Sequence, residues 1–93
     1  MKIIWSPKAR QDLNYIVEII ARDKKTVSLR WAQTVYKKVS RLQRFPSSGR
    51  IVPELNRAEI REILVGSYRI VYKVSSQISI LTLFHGARKM RSL

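Results

Sequence analysis

The sequence predicts an α+β fold of element order β-α-α-β-β-β, a helical hairpin packed on a small antiparallel sheet. Three observations carry that reading. Two amphipathic helical patterns joined by a short polar break fill the first half of the chain. Beyond residue 60 the apolar period shifts toward two, and turn residues punctuate that second half. With 93 residues, 45% hydrophobic content, 3 glycines and 3 prolines, the chain is sized for a single domain over residues 1–93 with one modest core. No internal repeat, linker or low-complexity segment is visible.

In chain order, Lys2 to Trp5 reads as a short strand, after which Ser6 can cap a helix and Pro7 can take its first position, where a missing N–H costs nothing. Ala9, Leu13, Ile16, Val17 and Ile20 recur at helical spacing, with Lys8, Asn14, Glu18 and Arg22 on the other side. The polar run Arg22-Asp23-Lys24-Lys25-Thr26 breaks the pattern. In a second helix, Ala32, Val35, Tyr36, Val39 and Leu42 share a face, while Arg30, Lys37, Lys38, Arg41 and Arg44 mostly lie elsewhere. Phe45-Pro46-Ser47-Ser48-Gly49 stops it. Two amphipathic helices joined this closely are expected to fold back on each other and cover one face of a sheet.

The sheet is read from three segments. Ile60 to Val65 leads through a Gly66-Ser67 turn into Tyr68, Ile70, Tyr72 and Val74, which alternate with Arg69, Val71 and Lys73. Ser75-Ser76-Gln77 then turns the chain into a strand in which Ile78, Ile80, Thr82 and Phe84 alternate with Leu81, Leu83 and His85. Most aromatics are expected in the core, Tyr36 and Tyr72 on apolar stripes, whereas Trp31 lies beside the stripe of the second helix and is free to meet another protein.

Charge narrows the function. Nineteen Lys and Arg against six Asp and Glu give a formal net charge of +13, the field of a protein that meets a polyanion. The absence of cysteine excludes a disulfide framework and a thiolate metal site, and a single histidine excludes the multi-histidine ones. Neither a cofactor nor a metal is implied, and no Gly-rich phosphate loop or serine triad is present. No apolar run is long enough for a signal peptide or a membrane span, so a cytoplasmic protein without a membrane partner is the expectation.

Along the strand-like text the charges recur at set points. If the helices cover the Tyr68, Ile70 and Tyr72 side, Arg69 and Lys73 point to the open side, where forked guanidinium donors suit phosphate oxygens. Cleaving RNA without a metal needs a base for the ribose 2′-hydroxyl, a cation for the pentavalent phosphate and an acid for the leaving oxygen. Glu54 or a lysine, Arg61 with Arg69, and His85 can fill those roles, with Arg50, Lys73 and Arg88 as further nucleic-acid contacts. Each has a plainer reading as well. Glu54 can balance nearby arginines, His85 can be structural, and Arg69 on an interior strand needs either a partner or a ligand to offset its desolvation. The tail Arg88-Lys89-Met90-Arg91 can simply be solvated.

The blocks Gly49-Arg50-Ile51-Val52-Pro53-Glu54, Ile60-Arg61-Glu62, Tyr68-Arg69-Ile70-Val71-Tyr72 and His85-Gly86-Ala87-Arg88, with the opening Ile4-Trp5-Ser6-Pro7-Lys8-Ala9 and Asp12-Leu13, resemble the RelE/ParE superfamily, toxins of bacterial type II toxin-antitoxin modules. The resemblance implies a helical hairpin on an antiparallel sheet, growth arrest, and a cognate antitoxin, expected to be acidic, that relieves it. It also implies one of two targets. RelE-like and YoeB-like members cleave mRNA in the ribosomal A site, and Glu54, Arg61, Arg69 and His85 match that branch, which makes a metal-independent, ribosome-dependent endonuclease the first reading. That branch usually carries a functional tyrosine near the C-terminus, and here no tyrosine follows Tyr72; ParE-like members inhibit DNA gyrase, and the Trp5-Ser6-Pro7-Lys8-Ala9 opening and the helix lengths resemble them at least as much. A basic RNA-binding module without toxicity is the third reading.

Overall fold

The helix start signalled by Ser6-Pro7 is present in the computed structural model, which describes residues 1–91. Ser6 has extended backbone and its hydroxyl oxygen accepts from the Ala9 N–H at 2.9 Å, with Pro7 in the first turn. The strand before it is β1 (Ile3–Trp5), and the helix is α1 (Pro7–Asp23). A single extended residue, Lys24, separates it from α2 (Lys25–Ser40), so the break is shorter than the polar run suggests. A turn of 3₁₀ helix (Arg41–Gln43) unwinds α2 before Pro46.

Four further strands follow, β2 (Arg50–Ile51), β3 (Ile60–Val65), β4 (Tyr68–Val74) and β5 (Ile78–His85), in the sheet order β1-β5-β4-β3-β2. The two helices and this five-stranded sheet give the α+β class that the sequence predicts. The sheet is mixed rather than purely antiparallel, because β1 runs parallel to β5 with Ile3 opposite Ile78 and Trp5 opposite Ile80. A parallel neighbour needs a long crossover, and everything between β1 and β5 supplies it. The two-residue β2 is absent from the sequence reading; it pairs with β3, Arg50 opposite Glu62.

Two-residue turn geometry sets the register of β3 and β4. Gly66 sits at φ +59°, a conformation that suits glycine, and Val65 stands opposite Tyr68. Ile63, Val65, Ile70, Tyr72, Ile78, Ile80 and Leu83 then face the helices, where Leu13, Ile16, Val35 and Val39 complete the main core. On the far face Val52, Ile60, Val71 and Phe84 form a second, smaller core, flanked by Leu55, Leu81 and Met90.

Two sequence expectations change at this level. In β5 the pairing jumps between Val71 opposite Thr82 and Tyr72 opposite Ile80, which leaves Leu81 as an extra residue. Past that bulge the faces exchange: Leu83 faces the helices, while Phe84 joins the outer core. In α2 the buried stripe is Ser28, Trp31, Val35 and Val39. Trp31 is 9% exposed and donates its indole N–H to the Val65 carbonyl at 3.1 Å, whereas Tyr36 is 55% exposed and rests on Trp5. The stripe is thus rotated toward Trp31, which gains a partner for its N–H as it is buried.

Candidate functional site: a buried charge node beneath the C-terminal segment

The outer face of the sheet is where alternation puts Glu62 and Arg69, because Ile60 and Val71 on either side of them belong to the outer core. That face is covered rather than open. The chain after β2 and the residues after β5 roof it, and Arg69 beneath them is 4% exposed. Its guanidinium grips the Glu54 carboxylate with two nitrogens, at 2.6 and 2.7 Å, and donates through Nε to Glu62 Oε1 at 2.7 Å. Nη1 also reaches the Arg88 carbonyl at 2.9 Å. Glu62 is fully buried and its other oxygen pairs with Arg50, so one carboxylate links two arginines.

This node is electrostatically saturated. The Arg69 hydrogen bond is the main reason the Glu54 carboxyl titrates at about 2, against the upward push of burial. Glu54, and behind it Glu62, raise the Arg69 guanidinium further still despite desolvation. Glu54 Oε2 also accepts the Met90 N–H at 2.8 Å. Residues 88 and 90 are therefore tied to the sheet by Arg69 and Glu54 together, and the guanidinium carbons of Arg69 and Arg88 lie 5.0 and 5.5 Å from the centre of the Phe84 ring.

The other sequence candidates lie elsewhere. Arg61 shares the helix-side face with Ile63 and Val65, and its guanidinium donates to the carbonyls of Ala58, Ser47 and Gly49 at 3.1, 3.2 and 3.0 Å, bracing the chain on both sides of β2. His85 stands opposite Tyr68 and meets its ring at 5.5 Å, again on the helix side, with Nδ1 accepting the Ala87 N–H at 3.1 Å. Arg61 is opposite Tyr72 and His85 opposite Tyr68, four residues apart on β4, or about 13 Å along the strand. Glu54 and Arg69 thus meet on one face, while Arg61 and His85 are on the other and apart. Lys73 is exposed on the outer face, Arg50 is bound to Glu62, and Arg88 is exposed beside Phe84.

Sequence reasoning weighed Glu62 only as a neighbour of Arg61, yet it is the inner anchor of Arg69. The signal was available: the Gly66-Ser67 turn places Arg69 opposite Leu64, which makes Glu62 its diagonal same-face neighbour. A second residue, to which the sequence assigned no role beyond the Asp12-Leu13 match, is Asp12. It accepts from the Thr82 hydroxyl at 2.6 Å and the Leu83 N–H at 3.1 Å, capping the part of β5 that extends beyond its parallel partner. Ser6 donates to the Leu81 carbonyl at 3.0 Å on the same edge.

Among the described residues no group of His, Asp or Glu could hold a metal, and no helix is long and apolar enough to cross a membrane. A two-helix layer on a mixed five-stranded sheet, strongly basic and built around an internal arginine-carboxylate node, defines a small basic α+β protein. The model of the ParE toxin of type II toxin-antitoxin systems matches residues 3–90, and the chain belongs to that family. Its members come with an antitoxin partner. The fold is similar to a solved structure of the chromosomal ParDE toxin-antitoxin system from P. aeruginosa, with a TM-score of 0.73 and 21% identity over 91% of this chain and 95% of that one. No curated protein matches the chain.

Proposed function

We propose that this toxin arrests growth by binding DNA gyrase, and that it does not cleave mRNA. The observation that carries the reading is the saturation of Arg69. An arginine that stabilises a pentavalent phosphate must offer free donors in the water-excluded site. Here the guanidinium is buried and its nitrogens are committed to Glu54, Glu62 and the Arg88 carbonyl. Glu54, chelated by that guanidinium and held at about 2, is a poor base for a hydroxyl proton. Arg61 and His85, on the opposite face of the sheet, do not complete a site with them.

A binding inhibitor needs no such site. It needs a shaped, charged surface, and the net charge of +13 together with exposed Tyr15, Leu29 and Tyr36 on the helices supports both target and antitoxin contacts. An acidic antitoxin laying an amphipathic segment on the helices is the expected silencing partner. The protein is expected to work in the cytoplasm, where gyrase and DNA are. Primer extension on an mRNA translated in a purified system tests the reading: the message stays intact at toxin levels that stop growth in cells. Cuts within A-site codons that disappear in His85→Ala would overturn it and restore the ribosome as target.

A further inference from the structure

A cavity of about 700 Å³ opens between the start of α1 and the segment that follows β5, lined by Lys8, Thr82, Phe84 and residues 87–91. Its rim carries four cations, Lys8 from the helix and Arg88, Lys89 and Arg91 from the segment. Lys8, whose side chain is 69% exposed, pairs with Asp12; the ion pairs found among the described residues include none of the other three. We propose that this groove takes the phosphodiester backbone of duplex DNA, and that Glu54 and Arg69 are positioning residues that hold its outer wall in place. The choice of DNA rests on the gyrase reading, since gyrase works on a bound duplex.

The groove suits a phosphate polymer better than a single anion. Successive cations along the run from Arg88 to Arg91 face a ligand whose charges also come in succession. The Arg88 guanidinium lies against the Phe84 ring, which limits its motion and leaves its edge donors for phosphate oxygens. The segment itself has little regular structure. Gly86 donates to the Ser67 carbonyl at 2.7 Å and Arg88 to the His85 carbonyl at 3.0 Å. Farther on, the Arg88 carbonyl and the Met90 N–H are held by Arg69 and Glu54. The two ends of the outer node thus act on the groove without touching its ligand.

The test is anisotropy titration of a short fluorescent duplex at several salt concentrations, with full-length protein. Removing three cations in Arg88→Ala/Lys89→Ala/Arg91→Ala should weaken binding by about tenfold or more and flatten the salt dependence by about 0.9 in slope for each phosphate that is no longer neutralised. Lys24→Ala/Lys25→Ala, at the bend between the helices, should change both far less. Glu54→Gln separates positioning from simple attraction, because it raises the net charge by one. Attraction alone predicts tighter binding, whereas loss of the tie predicts binding several-fold weaker, with faster hydrogen exchange at the Met90 amide and unchanged circular dichroism. Equal or tighter binding by Glu54→Gln, or equal losses in the triple variant and the bend variant, would overturn the inference. So would displacement by polyglutamate at matched charge as effective as by duplex, which would mark an acidic-peptide site, or preference for single-stranded RNA. Because the titration contains no gyrase, its failure and a failure to inhibit gyrase are read separately.

Discussion

On the gyrase reading, Arg69 looks catalytic in the sequence but serves as a buried tie between Glu54 and Glu62. A buried guanidinium with two carboxylates is costly to break from one side, because truncation strands the partner charges. Arg69→Ala is expected to lose about 3–5 kcal/mol in urea unfolding, leaving Glu62 buried without its inner partner. The node also has a pH signature. Glu54 titrates at about 2 in the fold against an ordinary 4.5, so its contribution is fully present above pH 4.5 and is lost as the pH falls toward 2. The stability gap between wild type and Glu54→Gln should therefore be constant above pH 4.5 and close toward pH 2, as read by unfolding at each pH. Gly49 shows the same tight construction on the helix side of β3. A Cβ there would stand 2.5 Å from the Tyr72 hydroxyl and 2.6 Å from the Glu62 carbonyl. That hydroxyl accepts the Gly49 N–H and donates to the Pro46 carbonyl. Tyr72→Phe leaves both groups unpaired and should cost about 1–3 kcal/mol in the same measurement.

At the scale of elements, the helix start and the β3-β4 hairpin were legible because each has a local cause. Ser6-Pro7 caps and preorganises α1, and Gly66 supplies the backbone angle that fixes the hairpin register. The bulge at Leu81 was not legible, since Ile80, Leu81, Leu83 and Phe84 are all apolar and both faces of the sheet are buried there. Without a polar face, alternation cannot locate an extra residue, and the positions of Phe84 and His85 were read one face out. The rotation of α2 toward Trp31 was hidden for a related reason, because its stripe begins at the polar Ser28. The bulged edge of β5 is secured by α1 rather than by another strand. Asp12→Ala removes the acceptor for Thr82 and Leu83, and the Leu83 amide should exchange at least tenfold faster while Ile70 and Tyr72 keep their protection.

For the whole molecule, composition pointed to a polyanionic partner, and the resemblance pointed to a toxin with an antitoxin. What neither revealed is that four of the six carboxylates, Asp12, Glu54, Glu59 and Glu62, are taken up in intramolecular ion pairs, buried at Glu62 and at the surface for Glu59, which leaves most of the positive charge unpaired. The division of the candidate residues between two sheet faces depends on pairing register, and register comes from turns and bulges more than from residue type. As proposed, the toxin is a binder whose internal arginine holds the fold and the C-terminal wall. The most direct test is a supercoiling assay with purified DNA gyrase, using the wild-type toxin and His85→Ala. Inhibition by both proteins at similar concentrations is the predicted result, since the proposal gives His85 no chemical role. Undisturbed supercoiling at a large excess of correctly folded wild-type toxin would contradict it.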